Sequence, residues 1–176
     1  MTSNAITIAR LFASKIHTPL GVMAAICDDE GLLSLRWQQE DFTIPPQDNH
    51  VSRETIFELK AYLSGNLREF QSPISSQATS PALRKWLQHI VSIPYGHTVS
   101  YQELARLWGN VKAARAAGSA CQKNPLPLIV PCHRIIGADG SYDKYSGGDA
   151  TSPTSQANVA RKKALLHMEA GLSPIM

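Results

Sequence analysis

Cysteine is scarce in this chain: three in 176 residues, Cys27, Cys121 and Cys132. Their number is odd and their spacings are unrelated, which excludes a closed disulfide framework. No four metal-binding residues stand at the spacing of a structural site. The sequence therefore predicts no metal, no cofactor and a reducing, cytoplasmic setting. Long apolar runs are missing too. No stretch approaches the roughly 20 residues of a membrane span, and the N-terminus lacks the basic-then-apolar order of a signal peptide, so no membrane partner is expected. Charge of one sign is equally absent: 17 Lys and Arg against 14 Asp and Glu leave a net charge of +3. That balance accepts an anionic partner without demanding one. What is present is 43% hydrophobic content, enough for a core without staples, in one medium domain or two small lobes.

The densest chemistry lies in Ile129-Val130-Pro131-Cys132-His133-Arg134-Ile135-Ile136, an apolar, β-prone run carrying a thiol, an imidazole and a guanidinium in succession. Even a few per cent of thiolate makes Cys the strongest side-chain nucleophile at neutral pH, and cationic neighbours raise that fraction. On an extended strand adjacent side chains point to opposite faces. Cys132 and His133 therefore communicate only if the strand turns here, or through a water. A buried structural cysteine fits the same residues, and the pair alone names no reaction.

The elements around it read as two lobes with a boundary near residue 78. Residues 6–12, 21–27 and 32–37 predict strands joined by turns. Ser52 opens a helix carrying Ile56, Leu59 and Leu63, and residues 71–80, with four serines, read as a linker. In the second lobe, Ser80 and Pro81 start a helix with Leu83, Trp86, Leu87, Ile90 and Val91 on one face. Ser100 and Glu103 form a capping box, and Asn110 caps Lys112 to Gln122. In that last helix Ala113, Ala114, Ala116, Ala117, Gly118 and Ala120 surround one long cation, Arg115. The pair is a helix-turn-helix pattern whose small-residue helix suits either a nucleic-acid groove or close packing under the cysteine segment. Tyr142 to Gly148 makes a pocket wall or a surface turn. Residues 149–158 read as a loop, and Val159 to Glu169 as a final helix, with Glu169 near its end.

Taken in order, Ser100-Tyr101, Ala113-Ala114-Arg115-Ala116, Asn124-Pro125, Pro131-Cys132-His133-Arg134 and Tyr145-Ser146-Gly147-Gly148 resemble the O6-alkylguanine-DNA alkyltransferases. The match covers residues 80–148 closely, and Thr18 to Gly21 and Leu165 to Glu169 more loosely. The resemblance implies an α+β protein. Its N-terminal lobe, 1–77, would carry an antiparallel sheet in an RNase H-like arrangement. Its mainly helical C-terminal domain, 78–176, would be winged-helix-like and would bind DNA and accept the alkyl group. It also implies a catalytic set of Cys132 as acceptor, His133 acting on it through a water, Glu169 fixing the histidine tautomer and Tyr101 rotating the nucleotide and protonating the base. The DNA contacts would be Arg115, Tyr101, Ala113, Ala114, Ala116 and Gly118. The guanine pocket would involve Ser146, Tyr145, Ile135, Asn124 and Gly147.

The implied reaction is a single-turnover S-methyltransferase step on duplex DNA containing O6-alkylguanine, with O4 of thymine as a further target left open. The implied protein is a monomer, cytoplasmic with access to a nucleoid or nucleus; cooperative assembly on DNA is left open. Lys144 and Asp143 add charge to the pocket loop, which favours small alkyl adducts. The rival readings are a non-catalytic alkylated-base recognition protein of the same fold, a thiol hydrolase and a helix-turn-helix regulator.

Overall fold

A computed structural model describes residues 10–38, 43, 47–142, 144–147 and 154–176. Three antiparallel strands, β1 (Phe12–Thr18), β2 (Gly21–Cys27) and β3 (Leu32–Gln38), form a sheet in the order β1-β2-β3. The first strand lies further along than the expected 6–12, of which residues 6–9 fall outside the described residues. Its place follows from the hairpin: Thr18 Oγ1 accepts from Leu20 N at 3.0 Å and donates to Gly21 O at 2.8 Å. That turn locks Thr18 opposite Gly21, so β1 must run back along the whole of β2. Val22, Met23, Ala24 and Ala25 are all buried, the pattern of a central strand covered on both faces.

Helix α1 (His50–Leu63) packs on β1 and β2. Asn49, not Ser52, caps it: Asn49 Oδ1 accepts from Ser52 N, and Ser52 Oγ accepts from Asn49 N. Ser52 is thus the third residue of a capping box, a role usually filled by Glu or Gln. Residues 71–80 are not a loose linker. Pro73 O and Ser75 N pair with Leu32, Ser72 Oγ donates to buried Glu58, and Ser75 Oγ donates to buried Asp28. The serines satisfy two carboxylates that burial would otherwise penalise.

The second lobe holds α2 (Pro81–Val91), β4 (Val99–Ser100), α3 (Tyr101–Leu107), α4 (Ala114–Gln122), β5 (Ile135–Ile136) and α5 (Gln156–Glu169). Ser80 and the Ser100–Glu103 box cap as expected. Leu87 and Ile90 of α2 are buried, whereas Val91, at the helix end, turns to solvent. Asn110 starts a 3-10 turn, Val111–Ala113, before α4 rather than α4 itself. The final helix begins at Gln156, capped by Ser155, so the end of the expected 149–158 loop is helical; 149–153 lie outside the described residues.

The architecture is α+β, with one hydrophobic core running through both lobes. Met23, Leu35, Trp37, Leu59 and Tyr62 join Leu104, Leu128, Val130, Cys132 and Leu165 in it. Backbone bonds cross the same way: Leu35 N to Pro125 O at 2.8 Å and Ile175 N to Leu63 O at 2.8 Å. Among the described residues no helix is long and apolar enough to cross a membrane.

Candidate active site

The acceptor segment is a turn where the sequence predicts a strand. Pro131 closes the preceding loop and Cys132–Arg134 forms one 3-10 turn before β5 pairs in parallel with β4. The physical reason lies upstream, where Leu128 adopts φ +74, a left-handed conformation costing a non-glycine residue about 1 kcal/mol. Buried Asn124 braces that loop, accepting from Leu126 N at 3.0 Å and donating through Nδ2 to Val130 O at 2.8 Å and to Cys132 Sγ at 3.2 Å. One side chain therefore ties the end of α4 to the thiol.

The turn separates the three polar side chains. Cys132 is 4% exposed. Burial pushes its thiol up from the ordinary value, opposed by the Asn124 hydrogen bond and by the Lys162 cation. The thiol is therefore held neutral, against the raised thiolate fraction that cationic neighbours lead one to expect. His133 is fully buried, and burial lowers its pKa against the pull of Glu169, which leaves it neutral and able to accept a proton. Its Nε2 lies 2.9 Å from Glu169 Oε1, while Nδ1 has no hydrogen-bond partner among the described residues. Giving the Nε2 proton to the carboxylate leaves the Nδ1 lone pair as the basic site.

Arg134 turns away from the thiol. Its Nε and Nη2 donate to Glu169 Oε2 and Oε1 at 2.9 and 2.8 Å, and Nη1 donates to Ile93 O at 2.7 Å. Glu169 is 6% exposed rather than solvated. Burial alone would raise its pKa, but hydrogen bonds from His133, Arg134 and Tyr62 outweigh that and hold it well below the usual carboxylate range.

A cavity of about 380 Å³ opens beside the thiol, lined by Cys132, Cys121, Lys144, Tyr145, Ser146, Tyr101, Ala114, Arg115 and Gly118, among others. Tyr101, the first residue of α3, faces α4 across Gly118, where an added Cβ would stand 3.9 Å from the ring. Arg115 and Ala116 are exposed on α4, with Ala113 half-buried; Ala113 and Ala116 do not line the cavity. Neither do three of the expected pocket residues. Asn124 lies behind the thiol, and Ile135 is buried with its carbonyl taken by Lys162 Nζ at 2.6 Å. Gly147 adopts φ +55, where a Cβ would come within 2.6 Å of Tyr145 and 2.8 Å of Trp37. It shapes the wall from outside. Asp143 and Gly148 lie outside the described residues.

Two buried residues escape a reading of the sequence. Lys162 Nζ donates to the carbonyls of Ile135 and Lys144, placing a cation close to the thiol. Its position two helical turns before Glu169 is the signal that could have found it. Tyr62, whose hydroxyl meets Glu169 and His133, carries no local signal at all. Among the described residues no three His, Cys, Asp or Glu side chains cluster to hold a metal ion.

Comparison with known proteins gives a consistent picture. Residues 81–171 match the model of the 6-O-methylguanine DNA methyltransferase DNA-binding domain. The chain is 34% identical to a methylated-DNA–protein-cysteine methyltransferase of Methanosarcina acetivorans, covering 78% of this chain and 91% of that one. It is also 34% identical to the protein of that name from Mycobacterium tuberculosis, covering 90% and 92%. Among solved structures, Mycobacterium tuberculosis OGT in complex with DNA superposes with a TM-score of 0.76 at 31% identity, covering 93% of this chain and 95% of that one.

Proposed function

The chain belongs to the O6-methylguanine-DNA methyltransferase family, and from that premise we propose that Cys132 accepts the alkyl group, with His133 as its base and Glu169 behind it. The protein repairs DNA by moving the alkyl group from O6 of guanine directly onto itself. The observation that carries the residue assignment is the order of groups from the cavity to the buried carboxylate: Cys132 at the wall, neutral His133 next in the chain, and Glu169 2.9 Å from its Nε2.

In this reading His133 Nδ1 takes the thiol proton across a bridging water as sulfur attacks the alkyl carbon. An S–C bond forms, the C–O6 bond breaks, and the proton lost by sulfur is balanced by one that the departing guanine takes from Tyr101. A base atom inside the stack is out of reach, so the nucleotide must first leave the duplex. Exposed Arg115 fills the gap, and the small residues Ala113, Ala114, Ala116 and Gly118 let α4 approach the backbone closely. Residues 78–176 form the DNA-binding and acceptor unit and 1–77 the supporting lobe, in a monomer working in the cytoplasm with access to the nucleoid or nucleus. The retained thiol argues against a non-catalytic recognition protein. Among the described residues no neighbouring group is placed to hydrolyse a thioether, so each molecule acts once.

Two measurements test this. Mixed with excess O6-methylguanine duplex, the protein is expected to remove one lesion per molecule and stop, with one methyl group found by mass spectrometry on the peptide carrying Cys132. Product formation beyond equivalence would point to a hydrolase. Separately, Arg115→Ala is expected to slow duplex repair about tenfold or more while changing the reaction with free O6-benzylguanine less than about twofold, since a free base needs no extrusion. Equal losses on both substrates would make Arg115 a pocket residue instead.

A further inference from the structure

The His133–Glu169 pair draws a partner from outside its own lobe. Tyr62 lies at the end of α1, 71 residues before His133 and 107 before Glu169. Its hydroxyl donates to Glu169 Oε1 at 2.5 Å and stands 3.3 Å from His133 Nε2. We propose that Tyr62 is a positioning residue for alkyl transfer: the first lobe supplies the hydroxyl that holds the Glu169 carboxylate against His133 and limits how strongly it attracts the imidazolium. This rests on the reading of His133 as the base for Cys132.

The hydroxyl cannot serve elsewhere. Tyr62 is fully buried, its ring held between Phe70, with centroids 5.2 Å apart, and Tyr95, edge-on at 6.1 Å. It has one proton to give, and the carboxylate is the closer acceptor, because Nε2 already donates to the same oxygen. Oε1 therefore receives Tyr62, His133 and Arg134 together. A carboxylate oxygen shared among three donors is a weaker partner for each of them. Burial, then the Glu169 charge, keep the phenol protonated far beyond neutral pH, so Tyr62 acts as a neutral donor.

The groups facing His133 set the direction of the effect. Glu169 from α5 favours its protonation, whereas Arg134 and Lys162 disfavour it. The Tyr145 ring stands edge-on at 6.5 Å, and Cys132 precedes it in the same turn. Removing the Tyr62 hydroxyl leaves more of the Glu169 charge to the imidazolium, so His133 becomes easier to protonate. Since transfer needs neutral His133, the acid side of the rate profile then moves to higher pH.

The test is the single-turnover rate on O6-methylguanine duplex, measured with the whole protein from about pH 5 to pH 9, the range in which histidine titrates. Tyr62→Phe is expected to shift the acid limb upward by roughly half a unit to one unit, the scale of one charge-assisted hydrogen bond at a shared carboxylate. Incorporating 3-fluorotyrosine at position 62 keeps the packing and strengthens the donor; it is expected to shift the limb downward, and it carries the test alone if Tyr62→Phe fails to fold. A packing role would lower thermal stability or the plateau rate without moving the limb. Glu169→Gln serves as the reference, expected to move the limb downward by removing the attracting charge. Unmoved limbs at position 62 beside a moved limb in Glu169→Gln overturn the role of Tyr62. Unmoved limbs in all three overturn the His133–Glu169 reading itself, and the inference with it.

Discussion

Cys132→Ser is expected to abolish methyl transfer, lowering the rate by at least about 10⁴-fold, because a hydroxyl next to a weakly basic imidazole forms almost no alkoxide. The variant should still fold. Asn124 Nδ2, which donates to Sγ at 3.2 Å, finds an oxygen acceptor in its place, so no buried donor is orphaned. Its affinity for damaged duplex should stay within about twofold of the parent, since the DNA contacts proposed for Arg115 and α4 are untouched. Fluorescence anisotropy and intact-mass measurement after long incubation separate the two effects. Cys121 lines the same cavity, yet burial and then the neighbouring Cys132 raise its thiol far above the ordinary value. A methyl group appearing on Cys121 in the serine variant would show that proximity, rather than the His133 line, selects the acceptor.

Glu169→Ala should lower stability by about 3–5 kcal/mol at neutral pH, the usual cost of stripping the partner from a buried charge. The charge is Arg134, whose guanidinium is nearly buried and bonded to both carboxylate oxygens. The pH dependence gives a sharper test. Glu169 titrates below its unfolded value of about 4.3, so its contribution is complete above that pH and fades as acid protonates the unfolded chain first. Urea unfolding between about pH 5 and pH 3 should therefore show the gap between parent and Glu169→Ala narrowing steadily. A constant gap would place the stabilisation in packing rather than in the carboxylate.

How far the sequence reached depended on the range of each interaction. Capping boxes and helical stripes are local, so Ser80, the Ser100–Glu103 box and the buried pair Leu87 and Ile90 were legible from spacing alone. Ser52 was displaced by three positions because serine and asparagine both cap, and only the tertiary arrangement selected Asn49. The acceptor run reads as a strand by composition. Its turn is imposed by Asn124, eight residues from the sulfur it touches. The resemblance brings Cys132, His133 and Glu169 forward as a set, whereas Arg134 carries no role in the sequence beyond a cation beside the thiol, and the fold delivers it to Glu169. Tyr62 and the serines of 72 and 75 are hidden for one reason: their partners stand 14 to 107 residues away, and no periodicity marks such a contact, least of all that of Tyr62, which forms only when the two lobes close.

That closure orders events during synthesis. His133 and its carboxylate are 36 residues apart, so at about 5–20 residues per second the thiol leaves the ribosome roughly 2–7 s before Glu169 does. Until α5 arrives, His133 lacks the Glu169 carboxylate and Cys132 lacks the neighbouring Lys162 cation. On the proposed roles of His133 and Glu169, a protein that can react only once thus carries its sulfur through translation unarmed, and the closing of its last helix makes the molecule fit to be spent.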